Sequence, residues 1–331
     1  MPDPEPADDE VRIRVVCAGV NPIDRSIYTG RFPWISTPHT PGVEASGEVE
    51  SVGPLVRGLE EGDRVVVYPK KFCGRCMNCI RGNENLCLEN LRMASEPYLV
   101  YMYSNGAWAE KAIAPERNLL KVPRAVPNMD AACHAVDGLT ALHMISRASP
   151  VLGESVLVIG GTGGVGSFCV QLAKLQGLRV SALVSSPNQV KAAERLGAEV
   201  VIVRGDSDFE RKLFDFSNGE GVDIVLDTVG ASGLEAGYRA LGPRGRFVSC
   251  GVLTGKDASL NLLRLYCTEA AVIGSTGGSR AELQALLSLA AKGAVKPLVD
   301  SVFDFAQLKS ATARLDSHGR LGKVMLRVGR D

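Results

Sequence analysis

Four cysteines fall within one short stretch: Cys73, Cys76, Cys79 and Cys87, spaced x2, x2 and x7. Four thiolates with no open position make a closed tetrahedral zinc site, which holds structure rather than doing catalysis. Such a site carries excess negative charge, and Lys70, Lys71, Arg75 and Arg81 lie close enough in sequence to offset it. An iron–sulfur cluster needs a shorter last gap, commonly with a proline after the fourth cysteine; here Leu88 follows. The alternative is four free thiols on an exposed loop.

The second chemical signal is glycine. Gly161-Thr162-Gly163-Gly164-Val165-Gly166 fits G-x-G-x-x-G directly after an apolar run (155–159) and at the start of a helical pattern (164–176). That context is what a dinucleotide-binding turn requires. Gly161 permits the tight turn, Gly163 lets the backbone approach a pyrophosphate, and Gly166 lets helix pack on strand. The helix N-terminus then offers N–H groups and partial positive charge to the phosphates. The next strand ends in Ser185-Ser186-Pro187-Asn188, with no acid before Glu194. A carboxylate there would take the ribose 2′-OH of NAD(H), whereas two hydroxyls do not repel a 2′-phosphate. NADP(H) is therefore expected ahead of NAD(H). Lys191 and Arg204 are the cations that would reach the phosphate; the alternative is that both are solvated surface charges.

The elements that must position these residues come in two textures. Over 11–67, short β-branched runs (11–16, 48–52, 64–67) are cut by Gly, Pro and Asn-Pro. Residues 73–87 are a loop without hydrophobic period, and 107–122 reads as strands and turns. The period becomes helical over 129–146, with Ala132, Val136, Leu139 and His143 three or four apart. From 155 onward strands (155–159, 179–184, 200–203, 222–226, 246–250, 271–273) alternate with helices (164–176, 188–196, 209–216). Six strands at this spacing imply a doubly wound parallel sheet in an α/β fold. After 279 one amphipathic helix (282–292) leads into short strands to the end.

Composition sets the outer limits. A chain of 331 residues suggests two domains. With 37 basic and 37 acidic residues it lacks the basic footprint of a nucleic-acid binder or a polybasic membrane surface. A hydrophobic fraction of 45% implies a folded globular protein rather than disorder. The acidic, proline-rich start is no secretory signal, and the charge-free run 155–173 holds too many glycines to span a membrane. A soluble cytoplasmic protein is expected. Nine cysteines, an odd number with four clustered, fit metal binding better than disulfides. Neither a G-x-S-x-G elbow nor a P-loop occurs, so hydrolase and NTPase readings have no support.

A cysteine lobe of this spacing upstream of Gly-Thr-Gly-Gly-Val-Gly resembles the medium-chain dehydrogenase/reductase family, the zinc alcohol dehydrogenases. The resemblance covers nearly the whole chain. It includes Gly19-Val20-Asn21-Pro22-Ile23-Asp24, Pro41-Gly42-Val43-Glu44-Ala45-Ser46-Gly47 and Gly322-Lys323-Val324, in the family's order. It implies a GroES-like, partly open β-barrel catalytic domain from 1–128 and 279–331, with the zinc lobe at 70–90, and an inserted Rossmann domain of six strands at 129–278. Family members usually begin with a β-hairpin ahead of a phrase like 2–6. Either those strands are dispensable here or the start is late.

Zinc alcohol dehydrogenases hold a second, catalytic zinc through a Cys, a His and another Cys. Those positions fall on Asn21, Val43 and Val136. The usual catalytic zinc is therefore expected to be absent while the structural one is kept. The Asn-Pro-x-Asp phrase resembles the zinc-free quinone oxidoreductase branch, which usually lacks the four-cysteine lobe, so the chain reads as a hybrid. A relocated zinc is the alternative, drawing on His39, Cys133, His134, Glu44 and Asp24.

Without a Lewis acid, hydride still moves if the substrate is already electrophilic or a side chain donates a proton. Asn21 is a candidate hydrogen-bond donor to a substrate oxygen or to the carboxamide. Ser26, Tyr28 and His39 are candidate proton donors, each with an equal claim to a packing role. The resemblance places Thr140 beside the nicotinamide ring and matches Asp24 and Glu44 to acids standing behind the ligands. Gly251 and Ser275 are assigned to the side that lines the nicotinamide, and Val229 to cofactor binding. The leading expectation is an NADP(H)-dependent alcohol dehydrogenase or carbonyl reductase acting on ketones, aldehydes or alcohols. The others are a quinone or enone reductase and a cofactor-binding protein that transfers no hydride. Family members pair through the last sheet strand, here 272–275, which implies a homodimer or homotetramer.

Overall fold

The computed structural model describes residues 3–31, 35, 38–89 and 106–329. Residue 90 of the expected lobe and the outermost residues 1–2 and 330–331 lie outside them. The strands are β1 (Glu10–Val20), β2 (Ala45–Val52), β3 (Arg64–Val67), β4 (Lys111–Pro115), β5 (Leu119–Lys121), β6 (Ser155–Ile159), β7 (Arg179–Val184), β8 (Val200–Val203), β9 (Val222–Asp227), β10 (Leu241–Ser249), β11 (Ala271–Gly274), β12 (Val299–Asp304) and β13 (Lys323–Arg327). Of the described residues, those within 1–139, 277–318 and 323–331 pack as one unit, and 140–276 with 319–322 as another.

The first unit is built on a seven-stranded sheet in the order β12-β13-β1-β2-β3-β5, with β4 also on β1. The eleven residues of β1 serve three partners. Residues 10–14 pair with β4, 17–20 with β13, and 11–18 with β2. Two register shifts against β2 bend the strand so that it can do so. Its burial alternates at first and becomes continuous from Val15, as the strand passes into the core with Val49, Val65, Leu119 and Val324. This is the GroES-like sheet.

Two elements here differ from the expected texture. The Asn-Pro-Ile-Asp phrase opens a helix, Pro22–Tyr28: Asn21 is the N-cap, Pro22 sits at N1 and Asp24 completes a capping box. The C-terminal stretch, expected to hold only strands after 292, also contains a helix, Leu308–Asp316. Leu308, Ala311 and Leu315 give it a narrow apolar stripe, which the Lys, Ser, Thr and Arg between them disguise.

The division between units also falls later than the expected 128/129. Helix Asn128–Cys133 packs on β1, β2 and β3. The Ser46 hydroxyl donates to the Asn128 carbonyl at 2.6 Å, and the Arg64 guanidinium reaches Asn128 Oδ1. Residues 319–322 make the opposite excursion, with Gly322 N donating to Thr162 O at 2.8 Å.

The second unit is a six-stranded, all-parallel sheet in the order β11-β10-β9-β6-β7-β8. Every residue of β6 is buried, as a central parallel strand requires. The order reverses between β6 and β9, the switch point at which such sheets bind ligands. Helices Ala231–Ala240 and Leu262–Thr268, which the sequence pattern did not announce, lie before and after β10. Among the described residues no helix is long and apolar enough to cross a membrane.

Candidate functional site

The four lobe cysteines converge. Their sulfurs all lie within 4.8 Å of one another, with Cys73–Cys79 at 3.9 Å and Cys76–Cys79 at 3.5 Å. Tetrahedral zinc with bonds of about 2.3 Å places sulfurs about 3.8 Å apart, so the donor set fits. Backbone N–H groups are aimed at the sulfurs: Cys76 N at Cys73 Sγ (3.3 Å), Cys73 N at Cys87 Sγ (3.3 Å) and Leu88 N at Cys76 Sγ (3.4 Å). The N–H groups of Cys79 and Leu88 pull the Cys76 thiol down to about 6, towards the thiolate a metal requires, while burial pushes Cys79 up. Of the four expected counter-charges, Arg75 pairs with Glu89 at 2.9 Å and Lys70 turns inward to the Asn85 carbonyl. Zinc bound here would cross-link a segment, 73–87, that holds one short helix, Met77–Ile80, and a 3-10 turn, Glu84–Leu86.

The glycine turn joins β6 to helix Gly164–Leu175. Its left-handed residue is Gly160 (φ +79°), one place before the motif; Gly161 is instead needed for close approach, since a Cβ there would lie 2.8 Å from Ala182 Cβ. A Cβ on Gly166 would stand 2.0 Å from Gly160 O, so helix and turn can meet only without it. Gly163 is the N-cap and makes no side-chain cap to the first N–H groups of the helix, as an anion-binding helix start requires. Thr162 is buried, with its carbonyl taken by Gly322 N.

At the end of β7 the two serines are engaged locally. Ser185 donates through N and Oγ to Gln189 Oε1, both at 2.8 Å, and Ser186 Oγ donates to Asn188. Gln189, 4% exposed, was not anticipated; it also ties this turn to Arg320 O at 2.9 Å. Lys191 is exposed, as is Arg204, whose N–H bonds Val184 O at the end of β7.

The late strands of this unit end on a third group. Asp227, 1% exposed, accepts from Val229 N (3.0 Å), Gly230 N and Ser249 Oγ (2.6 Å), which fixes the loop after β9. Gly251 packs against that loop; a Cβ would meet Val229 N at 2.4 Å. Ser275 N bonds Ser249 O, and its buried Oγ has no hydrogen-bond partner among the described residues. Thr140 is half-buried near the start of helix Leu139–Ala148.

In the first unit, a buried polar centre gathers three of the expected residues and two that were missed. Asn21, Asp24 and Glu44 are joined by Asp137 and Lys323, all at most 6% exposed. Asn21 Nδ2 donates to Glu44 Oε2 at 2.7 Å. Lys323 Nζ donates to Asn21 Oδ1 and pairs with Glu44 and, at 3.2 Å, with Asp137. Asp24 takes Asn21 N, Gly42 N and Val43 N, so it organises backbone. Val43 and Val136 pack with Ile23, Ile27 and Ile35 in an apolar cluster.

The remaining candidates separate. Ser26 Oγ donates to Pro22 O at 3.4 Å, Tyr28 is 45% exposed against the Trp108 ring, and His39 is half-buried. Cys133 Sγ faces Met325 Sδ at 3.4 Å, and His134 Nδ1 bonds Asp130 O. Burial lowers the His134 pKa and keeps it neutral. Among the described residues the lobe is the only convergent metal-ligand group, so the relocated set is not assembled.

Burial pushes Glu44 up to about 7 against Lys323, and Asp24 up to about 6 against its N–H donors. Asp137 and Glu44 hold Lys323 protonated against burial. A carboxyl raised in the folded state stabilises below its unfolded pKa, and that stability is lost as pH rises through the folded value. We expect the stability of the wild type relative to Glu44→Gln to fall between pH 4.5 and 7, by about 1–3 kcal/mol in denaturant melts. A difference constant with pH would contradict this assignment.

A four-cysteine lobe on a GroES-like sheet, with a doubly wound sheet opening on a glycine turn, defines a nicotinamide-dependent dehydrogenase. Residues 7–124 match the model of the alcohol dehydrogenase GroES-like domain, and 164–292 that of the zinc-binding dehydrogenases. An NAD-dependent alcohol dehydrogenase of Sulfurisphaera tokodaii is 29% identical over 98% of this chain and 94% of its own. The acryloyl-coenzyme A reductase of the same organism is 28% identical over 99% and 95%. A thermostable alcohol dehydrogenase from Pyrobaculum aerophilum, solved with cobalt and zinc bound, is 35% identical over 99% and 94%, with a TM-score of 0.88. The chain belongs to the zinc-type medium-chain dehydrogenase/reductase family and is an NAD(P)-dependent oxidoreductase with a structural zinc site.

Proposed function

We propose that the protein is an NADP(H)-dependent alcohol dehydrogenase or carbonyl reductase that works without a catalytic zinc. The observation that carries this is the replacement of the three ligand positions by Asn21, Val43 and Val136, two of which lie in an apolar cluster. Valine has no donor atom and a lone amide is a weak ligand, so the residues present do not fit a second zinc.

The dinucleotide fits the second unit. The uncapped helix start at Gly163 would hold the pyrophosphate, and the unpartnered Ser275 Oγ offers a hydrogen bond to the carboxamide. The bound nicotinamide supplies or accepts the hydride. In the first unit, the Asn21 amide has Oδ1 on Lys323 and one N–H on Glu44; the second N–H is the donor for a substrate oxygen. Thr140 and His39 are the remaining candidates for orienting the substrate and delivering a proton. A second reading, an enone reductase, is favoured by the same loss of ligands, because conjugate reduction depends less on a Lewis acid. The likeness to an acryloyl-coenzyme A reductase supports it.

The NADP(H) preference rests on the absence of an acid after β7 and on exposed Lys191 and Arg204. We expect NADPH to exceed NADH in kcat/KM, and Lys191→Ala/Arg204→Ala to reduce that ratio about tenfold. A wild type that prefers NADH rejects this cofactor assignment. The activity is tested by NADPH consumption over panels of saturated ketones, aldehydes and cyclic enones. Reduction of ketones or aldehydes supports the first reading, reduction of enones alone the second. NADPH binding without turnover of any panel would reject both.

A further inference from the structure

We propose that Gln189 is a positioning residue for the dinucleotide. Its buried amide clasps the segment Gly319–Gly322 to the turn after β7, and so holds that turn and the glycine turn at one fixed spacing. This rests on the dinucleotide reading of the second unit above, and not on the choice between NADP(H) and NAD(H).

Gln189 Oε1 accepts from Ser185 N and Ser185 Oγ, both at 2.8 Å, while Nε2 donates to Arg320 O at 2.9 Å. The two ends of the amide cannot be exchanged, because a backbone N–H only donates and a carbonyl only accepts. Just beyond Arg320, Gly322 N donates to Thr162 O at 2.8 Å, and Gly322 pairs with Gly163 in a single parallel bridge. The glycine turn is tied in its turn to β7, since Gly160 N and Gly161 N both donate to Leu183 O. These bonds close a ring: Gln189 to Arg320, Gly322 to Thr162, Gly161 to Leu183, and Ser185 back to Gln189. Every residue of the ring lies in the second unit. The strap across it begins and ends on left-handed glycines, Gly319 (φ +72°) and Gly322 (φ +84°), where a side chain would be strained.

Both turns that a dinucleotide must touch belong to this ring: the glycine turn for the pyrophosphate and the turn after β7 for the ribose. The links at Thr162 and Leu183 run from backbone to backbone. Those to Ser185 and Arg320 both pass through Gln189, so one side chain closes the ring. Burying an amide costs free energy unless its bonds are made, and the net gain from making them is small. A fully bonded amide therefore fixes geometry more than it adds stability. Opening the ring should cost cofactor affinity more than it costs the fold. By linkage, bound dinucleotide should in turn hold the strap closed.

The test compares the zinc-loaded full-length wild type with Gln189→Met, which keeps the length of the side chain and loses all three bonds. Affinity is read by fluorescence titration with NADPH and with NADH, and the strap by amide hydrogen exchange over 319–322. Turnover is read with whichever ketone, aldehyde or enone the wild type reduces. Gln189→Met is expected to raise Kd and KM about tenfold, by the same factor for each cofactor that the wild type binds, with kcat within about twofold. Exchange at Gly322 should be at least about tenfold faster than in wild type, where bound cofactor should slow it. Gln189→Glu keeps the acceptor for Ser185 but sets a second oxygen against the Arg320 carbonyl, so it should free the strap as well. It decides the question if Gln189→Met does not fold. Wild-type affinity in a folded variant, unchanged exchange over 319–322, or a loss of kcat with KM unchanged would each overturn the proposal. Failure of both variants to fold would also overturn it, by making Gln189 a residue of the fold alone. A wild type that binds neither cofactor would remove the dinucleotide reading itself, whereas an unaffected variant of a cofactor-binding wild type removes only the role of Gln189.

Discussion

Gly166→Ala is expected to weaken NADPH binding about ten- to a hundredfold, as about 1–3 kcal/mol of overpacking predicts. The new Cβ would lie 2.0 Å from Gly160 O and 2.7 Å from Gly160 C. These are backbone atoms of a turn hydrogen-bonded on both sides: Gly160 N and Gly161 N donate to Leu183 O, and Gly163 N to Gly160 O. They cannot rotate aside as a side chain would. Relief must come from moving the helix off the turn, which scatters the N–H groups that a pyrophosphate needs together. Gly163→Ala is the informative comparison, because its Cβ would meet Gly160 O only at 3.3 Å. It should cost little stability and act on cofactor affinity alone, whereas Gly166→Ala should lower both. Fluorescence titration with NADPH and thermal melts separate the two. Wild-type affinity in Gly166→Ala would contradict the assigned turn.

Cys79→Ser is expected to release the structural zinc and unfold the lobe while leaving dinucleotide binding intact. The segment from Cys73 to Cys87 has little apolar core of its own. Met77 is 53% exposed and Ile80 65%, and of the four ligands only Cys79 and Cys87 are buried. Metal ligation supplies what packing does not, since structural zinc binding is itself folding free energy. Losing it should open the lobe to limited proteolysis and lower the Tm by more than about 5 °C, the scale set by several kcal/mol in a chain of this size. The glycine turn belongs to the other packed unit, so NADPH affinity should survive. A lobe that resists protease without metal would show that zinc is not its core.

Much of this was legible because it is local. The four cysteines and the six glycine-motif residues each carry their chemistry within one short segment, and the strand–helix alternation from β6 onward repeats at a readable period. The polar centre was only half legible. Asn21, Asp24 and Glu44 stand in recognisable phrases, and so does Lys323, but its phrase lies far from theirs in sequence and starts an apolar strand, so it suggested no role at the site. A buried lysine there is visible only once β13 is paired to β1. Asp137 was hidden by Val136, the ligand position beside it. The serines after β7 were read for their hydroxyls, yet those hydroxyls are taken by Gln189 and Asn188. The absence of an acid and the two nearby cations now carry the cofactor argument. The Asn-Pro-Ile-Asp phrase does structural work as a helix cap besides any role at the substrate.

The central claim is that this oxidoreductase keeps its structural zinc and dispenses with the catalytic one. Zinc per chain, measured on protein confirmed to consume NADPH with a carbonyl or enone substrate, tests it most directly. One zinc per chain, lost in Cys79→Ser, is the predicted result. Two zincs per chain, with one retained in that variant, would contradict it.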